Sequence, residues 1–387
     1  MIHFKQFTSG WVRRWRLVAC MAAGAVLSAG AGTNEYWAYV GTYTGKGSKG
    51  IYVSRFDAET GTLSPLTLAA AAPNPCFLAV RPGNESLITA ADVAANGRVL
   101  AYGIDRKSGA LQALNEQVCG SKGICHVSFD GTGKHAFAAS YGSAQIFAWR
   151  VGADGRLGNL TASVQHSGSS MNRARQASAH AHQIITDPGN RFVFVCDLGM
   201  DKVMAYRLDA ATGSLTAAEP AFTAIAPGSG PRHLAFAPGG QFAYVINEMG
   251  STVTAFKYAE ETGKLSELGT YPTLPAGFTN ANTGAEIVVH PSGKFLYASN
   301  RGMDSVAIFG IDPVSGLLTP AGQVSTQGHT PRFMTLDPTG NYLLVGNQDS
   351  GSLVEFRVKA EDGGLVPTGQ ALKINSPVSV VFVPVAE

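Results

Sequence analysis

Charge is scarce in this chain. Of its 387 residues only 14% are Asp, Glu, Lys or Arg, where soluble domains average about 25%. The signs nearly cancel, 29 Lys and Arg against 27 Asp and Glu, so the basic footprint of a nucleic-acid-binding protein is missing. Cysteine is sparse: five residues, in neither CxxC nor metal-ligand spacing. There is no G-x-S-x-G elbow, no P-loop and no H-E-x-x-H, which removes support for serine-hydrolase, NTP and zincin chemistry. What abounds is glycine, 46 residues, against a usual share of about 7%. Hydrophobic residues make up 45% of the chain, too many for a disordered protein and enough for a large core. Few charges, many turn-formers and plentiful Val, Phe, Tyr and Thr point to an all-β protein.

The N-terminus reads as an address. A basic stretch, Arg13-Arg14-Trp15-Arg16, precedes an apolar run from Leu17 to about Ala29, and Ala29-Gly30-Ala31 supplies a small-residue cleavage site. The run is too short and too rich in Ala and Gly to span the ~30 Å of a hydrocarbon core. Residues 1–31 are therefore expected to be a signal peptide, and the protein to be exported, periplasmic or secreted. No stable membrane anchor is expected after cleavage. Arg13-Arg14 partly fits a twin-arginine signal. Leu17-Val18-Ala19-Cys20 resembles a lipoprotein box, but Arg16 directly before it leaves no apolar run ahead of the cysteine. Of the four cysteines beyond the leader, Cys119 and Cys125 are close enough in sequence to pair across a turn; free thiols are the alternative.

Internal repeats decide the fold. Residues 179–199, 230–250, 284–302 and 330–348 can be stacked on one another, with weaker copies beginning at Asn74 and Gly123. Each copy is a short apolar strand, a Pro/Gly turn and a second apolar strand ending in polar residues. A third strand follows, then a Thr/Ser-Gly turn and a fourth. Four strands per unit, repeating every 46–58 residues or so, is the signature of propeller blades. Six full units run from about Pro75 to Leu372. The segment from Trp37 to Leu63 supplies strands two to four of a seventh, and Ser376–Val383 matches its missing first strand. The expected fold is a seven-bladed β-propeller over residues 36–387, four antiparallel strands per blade, with the N- and C-terminal strands sharing one blade. Such closure leaves no open edge.

The start of a blade's first strand and the end of its second lie at one face of the ring. First-strand starts are read as Cys76, His126, His182, Arg232, Glu286, Arg332 and Ser376; second-strand ends as Asp92, Tyr141, Asp197, Glu248, Arg301 and Gln348. Three arginines with Glu248, Asp197 and a histidine at one mouth make a ligand site the natural hypothesis. Guanidinium forks hold carboxylate or phosphate, so an anionic ligand is expected. Glu248 beside them is expected to stay ionised. His180 and His182 share a strand, but no third metal ligand stands at convincing spacing, so neither metal nor cofactor is called for. His126 and His233 fit a structural role equally well. Arg173 and Arg175 sit in an insert, Ser163 to Ser178, that reads either as a lid over the mouth or as a surface loop.

Tyr39-Val-Gly-Thr-Tyr-Thr44, Cys196-Asp-Leu-Gly199, Gly230-Pro-Arg-His-Leu-Ala-Phe236, Val245-Ile-Asn-Glu248, Tyr297-Ala-Ser-Asn-Arg-Gly302 and Val345-Gly-Asn-Gln-Asp349 resemble the seven-bladed lactonase family. That family includes the bacterial propeller-type 6-phosphogluconolactonases and the fungal 3-carboxy-cis,cis-muconate lactonising enzyme. The resemblance implies an active site of His182, Arg232, Glu248 and Arg301; from the strand-start and strand-end positions, Arg332, Asp197, His126 and Gln348 are expected to bind substrate. It implies a small anionic lactone or cyclic acid as substrate, opened by general acid/base catalysis. Arg232 and Arg301 would hold the anionic group and polarise the carbonyl; Glu248 or His182 would activate water. A muconate-type cycloisomerase, or an exported propeller that only binds a ligand or protein, are the alternatives. The sequence departs from the family pattern at Cys196-Asp197 and at the strand starts Cys76 and Cys125.

Overall fold

The computed structural model describes residues 34–93 and 96–386; the expected leader lies outside the described residues. The described residues form seven sheets of antiparallel strands and a single short 3-10 turn, Thr44–Lys46. Blade 1 is built from both ends of the chain, in the order Pro377–Pro384, Glu35–Thr42, Gly50–Asp57 and an outer strand in two pieces, Thr62–Leu63 and Thr67–Ala71. Blades 2 to 7 follow in chain order, their inner strands beginning at Pro75, Ile124, Ala181, Pro231, Thr283 and Pro331. The expected closure and blade count are both present. Among the described residues no helix is long and apolar enough to cross a membrane.

The sheets stand face to face, and the core is divided between them. Each neighbouring pair of blades encloses an apolar cluster, such as Phe192, Phe194, Leu234, Val245 and Phe256 between blades 4 and 5. The period-2 alternation of each strand feeds one set of side chains to the blade on its left and the other to the blade on its right. This is why the second strands read as continuous apolar runs, for example Phe242–Asn247, buried throughout.

Neighbouring blades also interlock at the turn before the outer strand. In blade 6, Gly316 has φ +72°, and a Cβ there would stand 2.3 Å from Phe242 of blade 5. Tyr244 of blade 5 donates its hydroxyl to the Gly316 carbonyl at 3.1 Å. Gly263 on Phe192 and Gly363 on Phe295 repeat the contact. Gly369 has a similar φ, +84°, but open space around it. Gly316→Ala is expected to cost about 2–4 kcal/mol, from left-handed strain plus the clash. Gly369→Ala should cost only about 1 kcal/mol, from strain alone. Urea unfolding of the two variants checks this; equal midpoints would show that the interlock contributes nothing.

One backbone irregularity recurs and shapes the mouth. Near the start of the inner strand the register skips a residue: Pro75 pairs with Ala91 but Phe77 with Ala90, and Pro231 with Asn247 but His233 with Ile246. Blades 3, 4 and 7 and the C-terminal strand do the same. The bulged residues are Cys76, Cys125, His182, Arg232, Arg332 and Val378. A bulge leaves its extra residue without a cross-strand partner and re-aims its side chain, and of these six Cys125, His182 and Arg332 line one end of the channel.

Candidate active site

Two positions per blade face this end. The bulged residue of the inner strand is the first. The second is the residue just past the second strand, which a backbone hydrogen bond ties to the start of the inner strand. Its N–H donates to the carbonyl of residue 74, 123, 180, 230 or 330 for Asp92, Tyr141, Leu198, Glu248 and Gln348, at 2.7–3.2 Å. The cavity between them encloses about 380 Å³ and is lined by Tyr43, Asp92, Gly123, Cys125, Tyr141, Arg175, His182, Glu248, Thr283, Arg301 and Arg332.

At its wall the Glu248 carboxylate sits among three guanidinium groups, apart from Asp92. Glu248 Oε2 is 2.9 Å from Arg301 Nη2 and 3.3 Å from Arg232 Nε; Oε1 is 2.5 Å from Arg175 Nη2. Burial would raise the Glu248 pKa, but Arg301, Arg232 and Arg175 overcome it and hold it down at about 2. Two of the arginines are pinned a second time. Arg232 donates to the Ala285 carbonyl at 2.5 Å and Arg301 to the Gly284 carbonyl at 2.8 Å. Burial, then Arg301 and Arg332, lower the Arg232 pKa to about 9, so it stays charged at neutral pH. Arg332 lies with its guanidinium carbon 5.5 Å from the Tyr43 ring centroid, a cation–π contact. It forms no ion pair among the described residues.

His182 is buried, and its Nδ1 has no hydrogen-bond partner. Burial, with Arg232 and His233 adding to it, pushes its pKa well below the ordinary value, so the ring is neutral at physiological pH. Below it the channel is plugged by rings. The Phe77 and His126 rings meet at a tilt, 4.1 Å between centroids, and His233 and Phe333 complete the plug with centroid distances of 5.5–5.9 Å. His233 Nδ1 meets Glu286 Oε1 at 2.8 Å. Burial pushes the Glu286 pKa up to about 8. The cavity is thus a blind cup, open on one side only.

Of the eight residues expected at the site, His182, Glu248, Arg301 and Arg332 line the cup. Arg232 is one contact removed: it is 3% exposed and reaches Glu248 rather than the cavity. The other three lie elsewhere. Asp197 aligns in register with Asn247, Asn300 and Asn347, one residue short of Glu248. On a strand that offset flips the side chain to the other face. Its carboxylate accepts from the N–H groups of His180, Gly199 and Met200 and meets His166 Nδ1 at 2.7 Å. His126 stands one layer deeper than the mouth, since Cys125 is the bulged residue. Glu286 is deeper for the same reason, level with His233. Gln348 occupies the equivalent of the Glu248 position, but its side-chain amide turns to Asp349 at 3.3 Å. Cys119 and Cys125 are free, as are Cys76 and Cys196. Burial raises the Cys125 pKa to about 12, so it is a thiol rather than a thiolate. Of the two adjacent histidines, His180 precedes the strand Ala181–Thr186 and stacks on Tyr141 at 4.4 Å. Among the described residues no group of three or more His, Cys, Asp or Glu side chains could hold a metal ion.

The insert contributes what the blade repeats do not. Its expected start, Ser163, still belongs to the outer strand Leu157–Gln165; the true excursion begins at His166. Arg175 rises from it to Glu248 and, at 3.3 Å, to the Tyr141 hydroxyl.

The fold is a seven-bladed propeller whose blind cup carries arginines around one buried glutamate. The family model described as "Lactonase, 7-bladed beta-propeller" matches residues 37–382, and the chain belongs to that family. The 6-phosphogluconolactonase of Bacillus subtilis is 37% identical over 298 residues, covering 77% of this chain and 84% of that protein. The 6-phosphogluconolactonase of Formosa agariphila is 32% identical over 300 residues, 76% of this chain and 84% of its own length. The periplasmic gluconolactonase of Pseudomonas aeruginosa superposes with a TM-score of 0.85 at 33% identity, over 91% of this chain and all of that one.

Proposed function

We propose that this chain hydrolyses an anionic sugar lactone in the cup. The observation that carries the reading is the Glu248 cluster: one ionised carboxylate fixing guanidinium donors at the wall, next to a neutral His182. A lactone seated with its carbonyl oxygen toward Arg301 meets a donor that cannot drift, because Glu248 and the Gly284 carbonyl both hold it. Negative charge develops on that oxygen as water adds to the carbonyl carbon, and a fixed cation there is worth most in the transition state. His182, unprotonated, accepts the water proton. The ring C–O bond then breaks, and the ring oxygen leaves as a hydroxyl after taking a proton back from the imidazolium. Arg232 acts through Glu248 and is a positioning residue. Arg332 adds to the positive potential of the cup, which favours an anion over a neutral ligand.

Export is part of the proposal. The basic and then apolar N-terminus supports it, and so does a relative described as periplasmic. Cell fractionation, with a mature N-terminus at Gly32, is the expected outcome.

The deciding experiment is turnover of purified protein on aldonolactones, phosphorylated and not, alongside muconates. Lactone opening is expected. Arg301→Ala should lower kcat/KM by about 10²–10³, the cost of one lost transition-state donor. Turnover of muconates alone would instead mark a cycloisomerase. No turnover at all would mark a propeller that only binds.

A further inference from the structure

The three guanidinium groups on Glu248 are not equivalent. Arg232 and Arg301 come from blade positions, are 3% and 14% exposed at the side chain, and each also satisfies a main-chain carbonyl. If either left Glu248, it would have to abandon a second partner. Arg175 comes from the insert, is 40% exposed, and takes the other carboxylate oxygen alone. Among the described residues its guanidinium group has one further hydrogen bond, to the Tyr141 hydroxyl at 3.3 Å.

The base of Arg175 is nonetheless fixed. Gln176 is fully buried, and its side chain donates to the Leu198 carbonyl at 2.8 Å and accepts from the Asn172 N–H at 3.2 Å. Asn172 Oδ1 accepts from the N–H groups of Ala174 and Arg175 at 3.1 and 3.2 Å. A rigid platform thus presents a long cationic side chain whose head alone can change partner.

We propose that Arg175 is the specificity-determining residue of the cup: it leaves Glu248 to bind the anionic substituent of the incoming lactone, and so exposes Glu248 Oε1 to the reaction. The inference rests on the lactonase reading and deepens it. Only a ligand group with full negative charge replaces what Arg175 gives up, because a charged acceptor makes a stronger bond to guanidinium than a neutral one. A neutral lactone leaves the Arg175–Glu248 pair closed. The substrate class is then a lactone carrying phosphate or carboxylate away from its ring carbonyl. Recognition of the distant group prepares the reacting end, a use of remote binding energy that raises kcat as well as lowering KM.

The test compares wild type, Arg175→Ala and Arg175→Lys on a phosphorylated aldonolactone and its unphosphorylated counterpart, and measures binding of inorganic phosphate by calorimetry. Wild type should favour the phosphorylated lactone. In Arg175→Ala that preference should collapse ten- to a hundredfold, through both KM and kcat, and phosphate binding should weaken at least tenfold. Arg175→Lys should recover part of each, since it restores the charge without the fork. Equal preference in wild type and Arg175→Ala, or no preference in wild type, would overturn the assignment. If wild type opens no lactone, the lactonase reading fails on its own. The phosphate titration then decides for Arg175: undiminished binding by Arg175→Ala would overturn its role as well.

Discussion

Glu248→Gln is expected to abolish turnover by about three orders of magnitude or more, and to destabilise the protein only above acidic pH. One carboxylate balances three guanidinium groups, so its loss releases Arg175 and leaves Arg301 and Arg232 held only by main-chain carbonyls, in a single step. Groups that act as a unit lose far more together than one donor's share of about 10²–10³. The stability effect follows from linkage. The folded-state pKa of Glu248 is about 2 against an ordinary 4.5, so the carboxylate is depressed on folding. Such a group contributes stability that is fully present above the unfolded value and is lost as pH falls through the folded one. A drop from 4.5 to about 2 corresponds to roughly 3 kcal/mol. Removing one member of a buried ion pair costs a similar amount, about 3–5 kcal/mol. Urea unfolding of wild type and Glu248→Gln should therefore differ by about 3 kcal/mol at pH 7, with the gap closing as the pH approaches 2. A gap that persists unchanged at low pH would mean the glutamate matters by shape, not charge.

Much of this was legible in the residues. The repeats, the shared blade and the placement of His182, Glu248, Arg301 and Arg332 all follow from aligning blade against blade. Two positions differ from that alignment by one residue. Asp197 aligns with Asn247 rather than Glu248, and Cys125 rather than His126 is the counterpart of His182. The bulge explains the second offset: it inserts a residue into the inner strand, so a period-2 reading carried through it assigns the wrong face. His126 and His233 belong to the ring plug, and no pattern within a single strand distinguishes a mouth residue from one a layer below. Arg232 carries the right residue type and position, yet its side chain turns inward to Glu248. Only the three-dimensional balance of charge fixes that. Arg175 was visible as a cation in an insert, but an insert has no sister blade to align with, so its reach to Glu248 was beyond the repeats.

The second large effect concerns closure. Ending the chain at Ser376 is expected to leave no cooperatively folded protein. The strand Pro377–Pro384 pairs with Glu35–Thr42 over seven positions. It sends Val378, Val380 and Val383, all 2% exposed or less, into clusters shared with three blade interfaces. Ser379 accepts from the Leu78 N–H at 3.0 Å, and Arg106 donates to the Pro384 carbonyl at 3.0 Å, so blade 2 leans on the strand as well. Burial of three valines alone is worth about 5–8 kcal/mol, comparable to the 5–15 kcal/mol that holds a whole domain together. Its loss would also expose an unpaired inner edge in the middle of the ring. A permutant separates this account from a generic effect of truncation. Because Pro384 lies opposite Tyr36 in the register, residues 377–386 can be joined by a short linker ahead of residue 34. That permuted chain should fold with a melting temperature within a few degrees of the parent, while the truncated chain should bind hydrophobic dye and show no sigmoidal melt. A truncated chain that melts cooperatively at the parental temperature would mean the ring is held by its blade interfaces and not by its closure.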